Sequence, residues 1–349
     1  MGEHAYIQKD SKSQEELRSI PLAKMSKHYV MVTSSGIAQN IGIRPGGGNK
    51  SAEEQLNGLY LSAANTQAGF RGLSTDGIGK DRTTLVKLTV SAWQHFFRKT
   101  LTCNAPIGFL DTDHFQKTLA GAFQYGGGIM PHVRGHNAPA TNIFLLYGTS
   151  IPLEAIRRVD FASSRLPHIL AQGAHLEEIA KDMPMGSRGR DIVGTSAYLV
   201  AMRAIHFAIF HDDPEFNNIE RFELLFLGSI LLTDFDMHQN TYEQVILHLF
   251  GHGYSLLLHD DVTRPDKNGS LMLEFYFGII RGMFKGNHKE ISIHDALAAQ
   301  KKIAFQLHTN QEMGWVPASL ASLKGYKSTG IVLFVLNLNL INGVTKSYF

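Results

Sequence analysis

The stretch that decides the fold of this chain is Gly72-Leu73-Ser74-Thr75-Asp76-Gly77-Ile78-Gly79-Lys80-Asp81-Arg82-Thr83-Thr84-Leu85. It combines glycines, hydroxyl side chains and two cations, and it continues into the apolar segment 85–97, whose spacing predicts a helix. We expect a tight loop over 72–84 that opens this helix. Glycines let a backbone approach a ligand closely, and a helix N-terminus offers unpaired N–H groups and the positive end of the helix dipole. The pattern predicts an anion site, and phosphate is the natural ligand.

Length and composition limit the kind of protein to which this loop belongs. The chain has 349 residues, of which 44% are hydrophobic and 18% charged, and its formal net charge is only +2. These values predict a globular protein and give no support for binding to nucleic acid. The single cysteine, Cys103, excludes intramolecular disulfides and favours a reducing compartment. The polar N-terminus lacks the apolar segment of a signal peptide, and the most apolar run, 331–341, is too short to span a bilayer. We therefore expect a soluble, cytoplasmic protein without a membrane span.

The order of predicted elements indicates an α+β or α/β fold. Residues 1–27 form a polar lead-in, residues 28–148 a mixed α/β portion with the glycine-rich loop, and residues 149–349 a mainly helical portion, with a single domain as the alternative. Residues 254–259 and 271–276 predict one β-hairpin within the helical portion. The segment 103–113 is predicted to be irregular. Other helices are predicted at 115–123, 153–159, 166–183, 192–210, 219–232, 242–250 and 293–307, and strands at 29–33, 143–147 and 331–341.

The part Gly79-Lys80-Asp81-Arg82-Thr83 resembles the phosphate loop of cysteine-dependent phosphoinositide and inositol-phosphate phosphatases, including bacterial effector enzymes. That family carries the motif Cys-x-x-Gly-Lys-Asp-Arg-Thr. The resemblance extends loosely over residues 29–145 and implies that Arg82 clamps the phosphate while Lys80 acts as a second cation. It implies further phosphate contacts from the loop itself, through Gly77, Gly79 and Thr83.

One position departs from the family motif. Asp76 stands six residues before Arg82, where the family has its nucleophilic cysteine. An aspartate can accept a phosphoryl group, but its charge repels a phosphate dianion unless cations offset it. Ser74 is a second possible nucleophile and needs a base. The predicted catalytic residues are therefore Asp76, Ser74 and Arg82, and the loop supports phosphate binding better than turnover. An ordinary glycine-rich turn explains the same residues without any ligand.

A second glycine-rich turn follows at 126–129 and leads into a loop dense in possible phosphate contacts. We expect His132, Arg134 and His136 to approach the substrate from this loop. The same glycines, with Ser196 in Gly194-Thr195-Ser196-Ala197, also resemble the oxyanion loop and nucleophile turn of patatin-like acyl hydrolases. A hydroxyl N-cap of a helix explains Gly194-Thr195-Ser196 equally well.

Other sequence patterns match the motifs of known enzyme families less well. A Walker loop fails because Asp81 follows Gly79-Lys80, and a Fic-type loop fails because Gly72 occupies the place of its catalytic histidine. His206, His211 and Asp212 could be ligands in an HD-type metal phosphohydrolase, completed by His175 and by Asp234 or Asp236. A cysteine hydrolase built on Cys103 and His252 has no helix-start context that would activate the thiol.

The sequence therefore favours binding of a phosphate monoester, such as an inositol phosphate or a phosphoinositide headgroup. Hydrolysis of that ester would make the chain a phosphoric-ester hydrolase without a metal or other cofactor, delivered to a host cytosol if it is an effector. The nearest alternative is a noncatalytic, phosphatase-like protein that binds a lipid or a protein partner. The acyl hydrolase and the HD-type enzyme, which alone requires a divalent metal, follow behind these.

Overall fold

The computed structural model describes eleven continuous segments and five single residues beyond them. The segments are 25–32, 38–46, 72–75, 80–98, 106–125, 131–133, 136–138, 151–157, 165–172, 187–211 and 215–258, and the single residues are 265, 299, 302, 305 and 309. The chain divides into two compact units, Met1–Trp315 and Val316–Phe349, and every described residue belongs to the first.

The described part of the chain is mostly helical and carries three small sheets. The strands are β1 Met25–Val32, β2 Ala38–Gly46, β3 Gly72–Thr75, β4 Ile107–Leu110, β5 His132–Val133 and β6 His136–Asn137. The helices are α1 Lys80–Phe97, α2 Thr112–Tyr125, α3 Leu153–Ile156, α4 Arg165–Gln172, α5 Ser187–Phe210, α6 Asn218–Thr233 and α7 Gln239–Leu258. None of these helices is long and apolar enough to cross a membrane.

Strands β3 and β4 form the sheet that positions the candidate site. They are parallel, with Gly72 opposite Ile107 and Thr75 opposite Leu110. Helix α1 connects them, as a parallel pair requires a crossover connection. The other two sheets, β1 with β2 and β5 with β6, are antiparallel.

The core lies around β4, which is buried along its whole length. Helices α1 and α7 both pack against this strand, and α2, α5 and α6 extend the core on the helical side. Two glycines allow the close packing, because a β-carbon at Gly108 would overlap the Leu85 carbonyl oxygen and one at Gly251 would overlap the Gly108 carbonyl oxygen. On the helical side, the buried Tyr198 hydroxyl donates to the Leu119 carbonyl oxygen at 2.9 Å.

The predicted fold class, a largely helical α+β protein, is confirmed. The loop predicted over 72–84 is shorter than expected, because 72–75 form a strand and helix α1 begins at Lys80, five residues before the predicted start. The prediction that 103–113 is irregular is wrong for β4, whose four residues are too few to show a period.

Two further predictions fail on residues inside helices. Residues 254–258 end α7 and do not form the first strand of a hairpin; this helix is buried on most sides, so its apolar residues show no clear 3.6-residue period. Gly194, Thr195 and Ser196 lie inside α5, so they form neither a strand-to-helix turn nor an N-cap. Several predicted segments lie outside the described residues, namely 76–79, 126–129, 143–147, 271–276 and 331–341.

The contact between α7 and β4 predicts the effect of two matched glycine substitutions. Gly251→Ala should lower the free energy of unfolding by about 1 to 3 kcal/mol, because the new methyl group overlaps backbone of β4. Gly253→Ala is the control, since its β-carbon meets only the movable Phe222 ring at 3.1 Å while gaining the same helix propensity. Urea unfolding followed by circular dichroism measures both. Equal stabilities of the two variants would contradict the close packing.

Candidate functional site

A short connection joins β3 to α1. β3 ends at Thr75 and α1 begins at Lys80, so only residues 76–79, with two glycines, join the strand to the helix. The first N–H groups of a helix have no partner within it, and they point away from its N-terminus. Because β3 and β4 are parallel, this junction lies at their carboxyl edge, where ligands bind in many open α/β sheets.

A second strand-to-helix junction lies beside the first. Asp111 alone separates β4 from α2, and its backbone N–H donates to the Thr75 carbonyl oxygen at 2.8 Å, which ties the two strand ends together. The Asp111 carboxylate accepts hydrogen bonds from the backbone N–H groups of Asp113 at 2.8 Å and His114 at 3.2 Å. This buried carboxylate therefore caps α2, and the N-termini of two helices meet at one edge of the sheet.

Arg82, the predicted phosphate clamp, lies in the first turn of α1. Its Nη1 atom is 3.0 Å from Oε2 of Glu243 near the start of α7, and Gln239 donates to the other oxygen of Glu243 at 3.0 Å. The side chains of Arg82 and Glu243 are 24% and 45% exposed. A pair exposed to this degree contributes at most about 1 kcal/mol.

A pair of histidines surrounds the first residue of α2. Nε2 of His248 and Nε2 of His252, both on α7, lie 3.3 Å from the Thr112 hydroxyl oxygen. Nε2 of His252 is also 3.0 Å from the Leu110 carbonyl oxygen, which can only accept, so this nitrogen carries the proton. The Thr112 hydroxyl is then left to donate to His248.

Burial keeps this histidine pair neutral. It lowers the pKa of His252 to about 4, although the bond to Leu110 opposes the shift. Burial, followed by the proximity of His252, lowers the pKa of His248 well below its usual value. Both Nδ1 atoms are buried without a hydrogen-bond partner in the described part of the chain, as are both side-chain amide atoms of Gln116 on α2. A buried polar group without a partner lowers the free energy of unfolding by about 1 to 3 kcal/mol, so the cluster reduces the stability of the fold.

A second histidine chain begins at the next residue of α2. The Asp113 carboxylate accepts from Nε2 of His168 on α4 at 2.6 Å, and Nδ1 of His168 is 2.9 Å from Nε2 of His206 on α5. Because a carboxylate can only accept, Nε2 of His168 donates to Asp113, and Nδ1 of His168 shares a hydrogen with Nε2 of His206. Burial, then the nearby His168, Arg203 and His211, lowers the pKa of His206 well below its usual value. The three side chains therefore form a buried hydrogen-bond chain.

The second predicted nucleophile, Ser74, lies in β3, and Ser196, His206 and His211 of the alternative sites lie in α5 or directly after it. Ser74 lies in β3 and Ser196 in α5, and both hydroxyls are buried without a partner among the described residues. His206 takes part in the chain to Asp113, and His211 stacks on Phe207 with ring centroids 3.9 Å apart. Within the described segments, no group of three His, Cys, Asp or Glu side chains could hold a metal ion.

His132, which follows the second glycine-rich turn and is predicted to approach the substrate, contacts Asp236. His132 of β5 lies 2.9 Å from the Asp236 carboxylate, next to the end of α6, and the two residues also exchange backbone hydrogen bonds. The backbone of His136 belongs to β6. The predicted site residues outside the described part of the chain are Asp76, Gly77, Gly79, Arg134, His175 and Asp212.

The sequence reading missed the buried cluster that the structure brings together. The sequence predicts no role for Asp113, His168 or His248, and it pairs His252 only with Cys103. Two signals were present: Asp111-Thr112-Asp113-His114 is dense in polar groups directly after an apolar run, and His248 and His252 are four residues apart, on one face of a helix. His168 belongs to a separate helix, and only the tertiary structure connects it to Asp113.

Comparison with known proteins gives no family to which these residues can be assigned. No protein-family model, curated protein or solved structure matches the chain. The function is therefore argued from the geometry and chemistry of the site.

The buried neutral histidines predict that acid destabilises the fold. The pKa of His252 falls from 6.5 in the unfolded chain to about 4 in the folded one, so between these values only the unfolded chain gains the proton. Stability should be full above pH 6.5 and fall by about 1.4 kcal/mol per pH unit for each such histidine below it. His206 and His248 act in the same direction.

Urea unfolding between pH 7.5 and pH 5 measures this slope. His252→Asn should flatten it even if the variant is less stable at pH 7.5, and His95→Asn, which removes an exposed imidazole of α1, should not. A stability that stays constant from pH 7.5 to pH 5 would show that the histidines are not buried as described.

Proposed function

We propose that this chain binds a phosphate monoester at the junction of β3 and α1. The observation that supports this most is the connection itself, four residues with two glycines between a strand and the N-terminus of an 18-residue helix. Backbone N–H groups of the first turn would donate to the phosphoryl oxygens, and the helix dipole favours the negative charge. The proposed ligand is an inositol phosphate or the headgroup of a phosphoinositide, bound without a metal or other cofactor.

Two cations in the first turn complete the proposed site. Lys80 begins α1 and Arg82 follows two residues later, while Asp76 and Asp81 add the opposite charge nearby. Both cations are therefore needed to offset the carboxylates. The guanidinium of Arg82 has five N–H donors. The partly exposed ion pair with Glu243 orients it, and breaking that pair to bind phosphate would cost little free energy. Glu243 acts in this proposal as a placeholder for the phosphate.

Hydrolysis of the bound ester is a second candidate function, and the histidine chain at the same sheet edge favours it. Asp113, His168 and His206 form the type of carboxylate-to-imidazole chain that moves or holds a proton. Asp76 would be the phosphoryl acceptor in such a reaction. The single cysteine agrees with a cytoplasmic setting for either function.

Binding to soluble ligands tests the main proposal. Arg82→Ala should weaken the affinity for a myo-inositol phosphate at least about tenfold, because a charge-assisted hydrogen bond contributes about 1.5 to 3 kcal/mol. Arg98→Ala, at the far end of the same helix, is the matched control and should bind like the wild type. Glu243→Gln should bind up to about fivefold more tightly, since it removes the competing carboxylate. Isothermal titration calorimetry gives all four constants, and equal affinities of wild type and Arg82→Ala would refute the site.

Release of inorganic phosphate tests the second candidate function separately. Wild-type protein should release phosphate from a panel of inositol phosphates and phosphoinositides, with or without added Mg²⁺, and Asp76→Asn should abolish the release. Arg82→Ala should reduce it at least tenfold, since the arginine also stabilises the transferred phosphoryl group. No release by the wild type, or equal release by all variants, would refute hydrolysis at this site and leave only the binding proposal.

A further inference from the structure

An exposed apolar surface runs along α1 and continues onto α7. It consists of Val86, Val90, Trp93 and Phe97 of α1 with Phe250 of α7, and we call it the aromatic surface. Phe97 is 73% exposed, and Val90, Val86 and Phe250 are 49%, 43% and 43% exposed. The four positions on α1 are spaced by four, three and four residues, so they share one face of the helix.

The aromatic surface is a fixed structure held by Trp93. The indole N–H of Trp93 donates to the Phe250 carbonyl oxygen at 3.0 Å and so joins the two helices. Its ring lies with centroids 5.7 Å from those of both Phe97 and Phe250, and 5.4 Å from that of the buried Tyr254. Exposed aromatic rings held in this way mark an interaction site, because a monomeric protein seldom keeps such a patch in water.

The charges around the aromatic surface indicate what it contacts. After Asp81, α1 contains no acidic residue, and the exposed Lys87 of α1 and Arg98 directly after it border the apolar face. The only acidic residue of α7 is Glu243, which already faces Arg82. Aromatic residues and arginine occur in protein interfaces as well, but lysine is depleted there. Trp and Phe flanked by both Lys and Arg are typical of helices that lie in the surface of a membrane. The surface is thus complementary to anionic lipid.

We propose that the aromatic surface docks this chain on an anionic phospholipid bilayer. Helix α1 lies parallel to the bilayer plane, with Phe97, Phe250 and the two valines in the headgroup region and with Lys87 and Arg98 against the lipid phosphates. Arg82 precedes Val86 by four residues and shares its face of α1, so the N-terminus of α1 and the Arg82 side chain lie at the level of the lipid headgroups. The ligand is then a lipid headgroup and not a free inositol phosphate, a step that rests on the proposed function.

Vesicle binding with Trp93 as the probe tests docking. The sequence contains two tryptophans, so Trp315→Phe leaves Trp93 as the only one. Vesicles of phosphatidylcholine with phosphatidylserine should shift its emission to the blue and sediment with the protein, at least tenfold more strongly than vesicles of phosphatidylcholine alone. High salt should weaken this binding, because it screens the lipid charge.

Substitutions on exposed positions locate the contact. In this background, Phe97→Ser and Phe250→Ser should each weaken vesicle binding by roughly tenfold, the effect of losing one buried phenyl ring. Lys87→Glu with Arg98→Glu should reduce the preference for anionic vesicles. Ile219→Ser, which changes a 64% exposed residue of α6, is the control and should bind normally.

The outcomes separate docking from headgroup recognition. No binding to anionic vesicles, or binding unaffected by Phe97→Ser, overturns the docking proposal. One of these results is expected if the surface instead joins copies of this chain or binds another protein. Vesicles that also contain a phosphatidylinositol phosphate should bind more tightly, and Arg82→Ala should remove only that gain. If the gain is absent while soluble inositol phosphate still binds, the lipid assignment fails and the proposed phosphate site stands.

Discussion

The parallel pairing of β3 with β4 determines where everything else at the site lies. The hydrogen bond from Asp111 N–H to the Thr75 carbonyl oxygen closes this pairing at its carboxyl edge. Because of it, the β3–α1 and β4–α2 junctions are neighbours, and the N-termini of both helices face the same region. Gly108 and Gly251 make the pairing possible in a buried position, since they let α1 and α7 approach the backbone of β4.

Burying the polar groups around β4 costs free energy of folding, and this cost bears on their role. Thr112, His248 and His252 share hydrogen bonds in the core, while Asp113, His168 and His206 form a second chain nearby. Apolar side chains could fill the same volume more cheaply, because buried imidazoles lose solvation and leave atoms without partners. Clusters of groups with shifted pKa values are a common property of functional sites. The position of this cluster, beside a glycine-rich strand-to-helix connection, agrees with a role in binding or proton transfer.

The sequence predicted those parts of the structure that local patterns determine. The helices α1, α2, α6 and the middle of α7 follow from apolar spacing, and part of β1 from a β-branched and aromatic run. Strand β4 and the last turns of α7 were misread, because burial on several sides removes the alternation or period on which the reading depends. For the site, the motif at Lys80 and Arg82 was visible in the sequence. Arg82 and Glu243 are 161 positions apart in the sequence, and the chain from Asp113 to His206 spans 93 positions. No local pattern encodes contacts over such separations.

The most direct measurement is the position of a bound phosphate analogue in a crystal of the full chain. Tungstate has the shape and charge of phosphate, and its anomalous signal locates it without ambiguity. A peak between Thr75 and Lys80, within hydrogen-bonding distance of first-turn N–H groups of α1 and of the Arg82 guanidinium, is the predicted result. A fully occupied peak elsewhere with none at this junction, or an Arg82 side chain that keeps Glu243 as its partner while tungstate binds at another site, would contradict the proposed function.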